Sequence, residues 1–513
     1  MKKLIIFLLF INILPLFAIA QNNKPLRAEI EVPSNDDNPF KTVNLGNKGV
    51  LVLYKINEFL DRKTQNWVFT FYDVNLSKLW TRKIPLNEDL IYQRYYYTND
   101  TLYILLLTST KKAVEDNLKL IKFELKKGNN NSISGTVAEK PSLTALEIKD
   151  NKAFFTIENK SNILLYFFDI LKGNKKEIQI ENKENCYIES MVLDTINNKL
   201  YLLSKWIASK KENKFTLFTY NLEGVELSKT ELQTYDPDKK FISANITLSS
   251  DHNIILTGSY NFTDEKPVYY TDINILEAAG VYFTKFKNNI LEKPNFISFL
   301  DFNNISRYLS KKEIEKYNNL QDDKKNNKRS SLNYLLLEHD VMHVKDKLIL
   351  VAEAFYPEYR TVSSMSYDYY GRMIPTTRTV FEGYRYTNAF TICFDNDGKI
   401  IWNQLFDIWN ILTKELHERV SIMPIDKEYI FSYSNEGEVS YKVINDTSVV
   451  SEIDNVKIEL PYSNDKIIEN VSASLDYWYD NYYMASGIQV IKNNSLANRS
   501  KRTVFYLNKI AFQ

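Results

Sequence analysis

An all-β fold built from repeated four-stranded units follows from three observations. The first is a recurring pattern of aromatic strand, polar turn and apolar strand. Its sharpest copies are Phe390-Thr-Ile-Cys-Phe-Asp-Asn-Asp-Gly-Lys-Ile-Ile-Trp402 and Phe69-Thr-Phe-Tyr-Asp-Val-Asn-Leu-Ser-Lys-Leu-Trp80. Weaker copies begin at Leu165, Leu217 and Val281. The second is a set of short apolar runs: Val50 to Tyr54, Leu102 to Leu107, Ala153 to Ile157, Leu200 to Ser204, Ile254 to Tyr260, Leu348 to Ala354, Tyr429 to Tyr433 and Tyr482 to Gly487. Most are continuous rather than alternating, as burial on both faces of a strand requires. The third is the turn chemistry that leads into them, as in Tyr97-Thr-Asn-Asp-Thr-Leu102 and Ile196-Asn-Asn-Lys-Leu200, which is that of hairpins.

Repetition at roughly 40 to 50 residues, with about four strands per unit, fits the blades of a β-propeller. The expected architecture is one domain over 21–513, with seven or eight four-stranded blades and one short helical, charged insertion. A closed ring lets several hundred residues form one unit. Closure is expected from a last strand near Thr503 to Ile510, in a blade that also takes a strand near Arg27 to Val32. Joining the two ends of the chain covers edges that would otherwise template aggregation.

Lys2 and Lys3, an apolar run from Leu4 to Phe17, and Ala18-Ile19-Ala20 before Gln21 have the layout of a secretory signal peptide over 1–20. Export to the periplasm or the cell exterior is therefore expected, and no later stretch is apolar for long enough to span a bilayer. The chain holds 65 basic and 64 acidic residues, and loss of Lys2 and Lys3 leaves 63 against 64. With no dominant charge, nucleic acid is not an expected partner. Cys186 and Cys393 lie in different repeats, and nothing in the sequence places them together.

Phe394-Asp395, Gly398 and Trp402 carry a resemblance to the β-propeller superfamily, in particular to quinoprotein-like blades. In those blades aromatic-Asp-x-x-x-Gly leads through a turn to a strand closing on Trp. The resemblance covers most of 40–513 but is sharp only at the copies ending in Trp80 and Trp402. No quinone-binding motif accompanies it, so no cofactor is expected. The chain also resembles secreted bacterial propeller-like proteins, a similarity that implies no activity.

Two insertions break the rhythm. Residues 310–331 begin as a helix and become strongly charged, which reads as a solvated surface excursion. Residues 356–386 differ in kind: seven tyrosines and four arginines occur there with no lysine, although the chain as a whole has 52 lysines and 13 arginines. Guanidinium stacks on rings and grips carboxylates in a planar fork, and tyrosine joins a rigid apolar face to a polar tip. With Gly371, Pro375 and Gly383 as turn formers, the segment reads as an extended hairpin above the ring. It presents Tyr359, Arg360, Tyr367, Tyr369, Tyr370, Arg372, Arg378, Tyr384, Arg385 and Tyr386 to an envelope or extracellular protein or glycan. Packing of these rings against their own blade is the competing expectation.

Catalytic and metal motifs are weaker. His339 and His343 have the spacing of a helical metal pair, but no glutamate directly follows the first histidine, and the segment precedes a strand. Hydrogen-bonded structural histidines are expected instead, and no metal. Asp395-Asn-Asp-Gly398 reads as a turn, because Phe406 stands where a calcium loop needs glutamate. The expected function is a binding or scaffolding module. The alternative is a carbohydrate-active enzyme, a glycoside hydrolase or lyase, using carboxylates in the central funnel, where the required separation is spatial and not written in the linear sequence.

Overall fold

In the computed structural model the described residues are 26–32, 40–108, 116–138, 142–158, 162–181, 184–209, 212–265, 276–287, 289–303, 305–308, 311–326, 328–367, 369–446, 448–462, 464–493 and 501–512. The signal peptide expected over 1–20 lies outside them. Eight antiparallel sheets follow one another along the chain, over 41–87, 90–135, 142–181, 186–232, 239–298, 335–413, 421–457 and 465–511. These are blades one to eight of a β-propeller, so the blade number, left between seven and eight by the sequence, is eight.

Each of the eight apolar runs lies in the second strand of one blade. The physical reason is visible in blade one, where Leu51 and Leu53 join the core shared with blade two, while Val50 and Val52 join the core shared with blade eight. Successive side chains point to opposite faces, and both faces are buried, so alternation disappears from the sequence. Eight apolar clusters fill the eight spaces between successive blades, the last between blades eight and one. The core is thus a ring of wedges around an axis.

Closure is by the strand Arg27–Glu31, which pairs antiparallel with Lys501–Ala511 as the outer strand of blade eight. Phe505 and Leu507 sit in the cluster between blades eight and one. Arg502 ties the seam, its guanidinium 2.6 Å from Asp465 and 3.4 Å from Glu29.

Within a blade, the turns after the first and third strands emerge at one end. The turn between the second and third strands emerges at the other, together with the connection to the next blade. That second face carries the helix Lys311–Lys325, which belongs to the connection between blades five and six. The helix is more than a solvated excursion. Tyr317 and Leu320 pack on the cluster between those blades, and Gln321 donates to the Leu300 carbonyl at 2.7 Å. Cys186 and Cys393 are buried in different clusters and are not joined by a disulfide. Among the described residues no helix is long and apolar enough to cross a membrane.

Candidate functional site

The second and third strands of blade six run far beyond those of the other blades. Lys347–Tyr367 and Met373–Asp395 stay paired from Lys347↔Asp395 to Tyr367↔Met373. The base of this hairpin is held by Leu412 and Thr413, which pair with Arg385 and Tyr384. Beyond it the two strands continue alone for about nine residues each, roughly 30 Å of ribbon.

Register decides what the ribbon shows. Directly paired residues share a face, so Tyr359, Met365 and Tyr367 lie beside Phe381, Pro375 and Met373. The opposite face carries Arg360, Val362, Ser364 and Ser366 beside Val380, Arg378, Thr376 and Ile374. Thr361 beside Thr379 and Ser363 beside Thr377 interrupt the first face, so its apolar residues form one group at the base and one toward the tip, where Met365 is 61 % exposed and Tyr367 73 %. At the tip Tyr369 is 97 % exposed, and Arg372 stands over the Tyr370 ring at 5.7 Å.

The residues expected at this surface separate into three groups. Tyr359, Tyr367, Tyr369, Tyr370, Arg372 and Arg378 are exposed, and Arg378 has no partner among the described residues. Arg360, Tyr384 and Arg385 brace the hairpin. Arg360 lies 2.9 Å from Glu382, and Tyr384 packs between Phe355 and Phe381. Arg385 grips both oxygens of Glu358, at 2.6 and 3.1 Å, which holds that carboxyl below the usual range. Tyr386 is a correction to the expected surface: it is 1 % exposed in the core between blades six and seven, its hydroxyl donating to the His417 carbonyl at 2.8 Å. The bulge and the clamp at 412–413 turn this stretch inward. The methionines of the group toward the tip went unnoticed, because a window chosen for tyrosine and arginine does not weigh them.

The first strands of the blades surround the axis, and they carry carboxylates that the sequence did not single out. A cavity of about 480 Å³ is lined by Tyr95, His339, Asp340, Glu418, Asp476 and Trp478 among others. A second, of about 260 Å³, is lined by Glu189, Lys205, Ser243, Asn245 and Glu338, and shares Asp340 with the first. Burial, with Glu418 adding repulsion, pushes the Asp476 carboxyl up to about 6. Burial raises the Glu418 carboxyl as well, with His339 opposing, although its side chain is 57 % exposed and Asp476 is the more deeply set of the two. Glu338 is raised by burial although Ser243 and Ser259 hydrogen-bond it. Burial also pushes Glu147, on the first strand of blade three, up to about 7.

The two histidines of blade six are hydrogen-bonded, as expected, in extended chain. His339 Nε2 lies 2.8 Å from Glu353, and His343 Nε2 is bonded to Thr247. Burial opposes the His339 cation, but Glu353 outweighs it and raises the histidine. Glu353 is wholly buried and accepts from the backbone N–H groups of Arg419 and Val420 at 2.7 and 2.6 Å, which fixes the connection into blade seven. Among the described residues no cluster of three or more His, Cys, Asp or Glu has metal-binding geometry.

No protein-family model matches the chain, and no curated protein matches it. Among solved structures it is similar to the β-propeller domain of the Trilobed protease from Pyrococcus furiosus. Identity there is 11 %, 83 % of this chain and 95 % of that one are covered, and the TM-score is 0.35. It is similar also to a prolyl endopeptidase at 10 % identity, covering 83 % of this chain and 50 % of that one, with a TM-score of 0.37. A third is the periplasmic gluconolactonase of Pseudomonas aeruginosa, at 9 % identity, 70 % and 100 % coverage and a TM-score of 0.27. The chain spans about half the length of that endopeptidase. Likeness at this level carries no functional argument, and the β-propeller assignment stands on the eight sheets and their closure.

Proposed function

We propose that the protein is an exported binding propeller whose blade-six ribbon docks on a protein of the cell envelope. The observation that carries this reading is the exposed apolar group of Met365, Tyr367, Met373 and Pro375 toward the tip of the ribbon. A two-stranded ribbon is marginally stable alone in water, and large apolar side chains left uncovered on one mark a contact surface. The ribbon extends past the strands that hold its base, which suits insertion into a protein groove better than capture of a glycan, whose sites are concave. Arg372 and Arg378 favour a groove bordered by carboxylates.

The test replaces residues 361–379 with Asn-Gly, a turn that can close the shortened hairpin. Photo-crosslinking from position 367 in envelope material should capture one partner with the full chain. The shortened protein should melt unchanged and lose that partner in co-purification. Retention of the partner would assign docking elsewhere, and intact-mass measurement showing Met1 to Ala20 still attached would overturn export.

A second reading is supported by the axial cavity, where burial raises both the Asp476 carboxyl, to about 6, and that of its neighbour Glu418. Two carboxyl groups of raised proton affinity facing one cavity are the groups glycoside cleavage uses. Turnover of a neutral oligosaccharide panel that disappears in both Asp476→Asn and Glu418→Gln would support it. Absence of turnover by the intact protein would remove it.

A further inference from the structure

Beside the base of the ribbon, on the same face of the ring, a pocket of about 530 Å³ opens between blades six and seven. Its wall includes Asp407, Trp409, Asn435, Glu438, Ser440 and Ile453. The volume lies within the roughly 300–1,000 Å³ of small-ligand sites. Trp409 is 78 % exposed, yet its backbone is fixed. Its N–H donates to the Tyr433 hydroxyl at 2.9 Å, and its carbonyl accepts from Asn435 at 3.3 Å. A large exposed ring on a fixed backbone at the mouth of a cavity is a platform that has not been used for packing.

The polar groups around it point to one chemistry. Among the described residues Asp407 and Glu438 accept no side-chain hydrogen bond, although the Lys442 charge acts on Asp407 from outside the pocket wall, so two carboxyl groups are left with acceptor capacity. Ser440 and Asn455 are bonded to each other at 2.6 Å, and Asn410 joins Glu436 to Arg385 at the rim. No lysine or arginine lines the pocket, which disfavours phosphate, sulfate or carboxylate ligands. Adjacent hydroxyls donate well to carboxylates, and the C–H face of a pyranose is apolar enough to lie on an indole. We infer that this pocket binds a neutral saccharide, with Trp409 as the stacking platform and Asp407 and Glu438 as the hydroxyl acceptors. The site is separate from the ribbon and does not depend on what the ribbon docks.

Saturation-transfer NMR and calorimetry with maltotriose, cellotriose and chitotriose test this, with putrescine as the cationic control. At least one trisaccharide should bind in the millimolar range or better. Trp409→Ala should weaken it at least tenfold, and Asp407→Asn with Glu438→Gln at least fivefold, while the melting temperature of the Trp409 variant stays unchanged. The protein with residues 361–379 replaced should bind as the intact chain does. Binding that survives Trp409→Ala, binding of putrescine alone, or no transfer from any trisaccharide overturns the proposal.

Discussion

Blades one and six start from the same sequence pattern and end differently. In both, an Asp begins the turn after the third strand. Asp73 accepts from the N–H groups of Asn75 and Ser77, and Asp395 from those of Asp397 and Lys399. In both, the Trp of the fourth strand packs on the next blade, Trp80 on Phe123 and Trp402 on Tyr429. Glycines make the close approaches. A Cβ on Gly128, at φ +66°, would fall 2.5 Å from the Trp80 ring, and one on Gly398, at φ +80°, would fall 2.3 Å from Phe283. But Trp80 donates to the Leu125 carbonyl at 2.7 Å, while Trp402 Nε1 is buried with no partner among the described residues. Blade one ends its second strand at Phe59, and blade six continues to Tyr367. The shared pattern builds the ring, and what blade six adds to it is the part with something to recognise.

If that division holds, damage to the ring should be global and damage to the additions local. The largest effect is expected from deleting residues 501–513, which removes the third strand of blade eight and the partner of Arg27–Glu31. The cooperative thermal transition should be lost altogether, because two apolar clusters lose a wall at once. A deletion protein that melts as the full chain does would show that closure is dispensable.

Next is the contrast between the two tryptophans. Trp80→Phe leaves the Leu125 carbonyl without its donor and should cost about 1–3 kcal/mol in urea unfolding. Trp402→Phe removes a buried N–H that has no acceptor, and should be neutral or slightly stabilising. Equal losses at both sites would mean that an acceptor reaches Trp402 in solution, and the comparison would lose its sharpest term.

The sequence revealed the ring more readily than the sites. Doubly buried second strands such as Val50 to Tyr54 are continuous apolar words, and each marked one blade. The Asp-to-Trp pattern is local, so it survives in the linear text. First strands are harder to read, because one face meets the axial water. Glu338 and Asp340 stand in Leu335-Leu-Leu-Glu-His-Asp340, where nothing shows that two blades away Asp476 faces the same cavity as Asp340. Trp409 was invisible for a similar reason: its meaning depends on Glu438 in the next blade. The ribbon was legible through composition, arginine against a lysine background, but its two faces required register, and Tyr386 turned out to belong to the core.

The first strands extend the comparison into the axis. Blade one offers Asn44 there, and blade six offers Glu338 and Asp340. Asp476 and Glu338 both have folded values raised above their unfolded ones. The native state therefore binds more protons than the unfolded chain, and stability falls as pH rises from the unfolded carboxylate range, about 4, toward the Asp476 value of about 6. Asp476→Asn should flatten that decline, by up to about 3 kcal/mol, in unfolding curves taken between those limits, and Glu338→Gln should act in the same direction. A wild-type curve that rises across the window would mean that the axial carboxylates are held charged by cations.

The smallest expected effect separates the arginines within the ribbon segment. Lysine keeps the charge of arginine but loses the planar fork. Arg385 uses that fork on Glu358 at the base, so Arg385→Lys should loosen the hairpin with little change in melting, seen as faster amide exchange across the pairs from Tyr356 to Arg360. Arg378 makes no such bond, and Arg378→Lys should leave both melting and exchange unchanged. If it then weakens capture of the envelope partner, the planar face of Arg378 is what the partner meets. If it weakens nothing while Arg385→Lys does, the arginine bias of the segment is a matter of bracing, and recognition rests on the apolar group of Met365 and Tyr367.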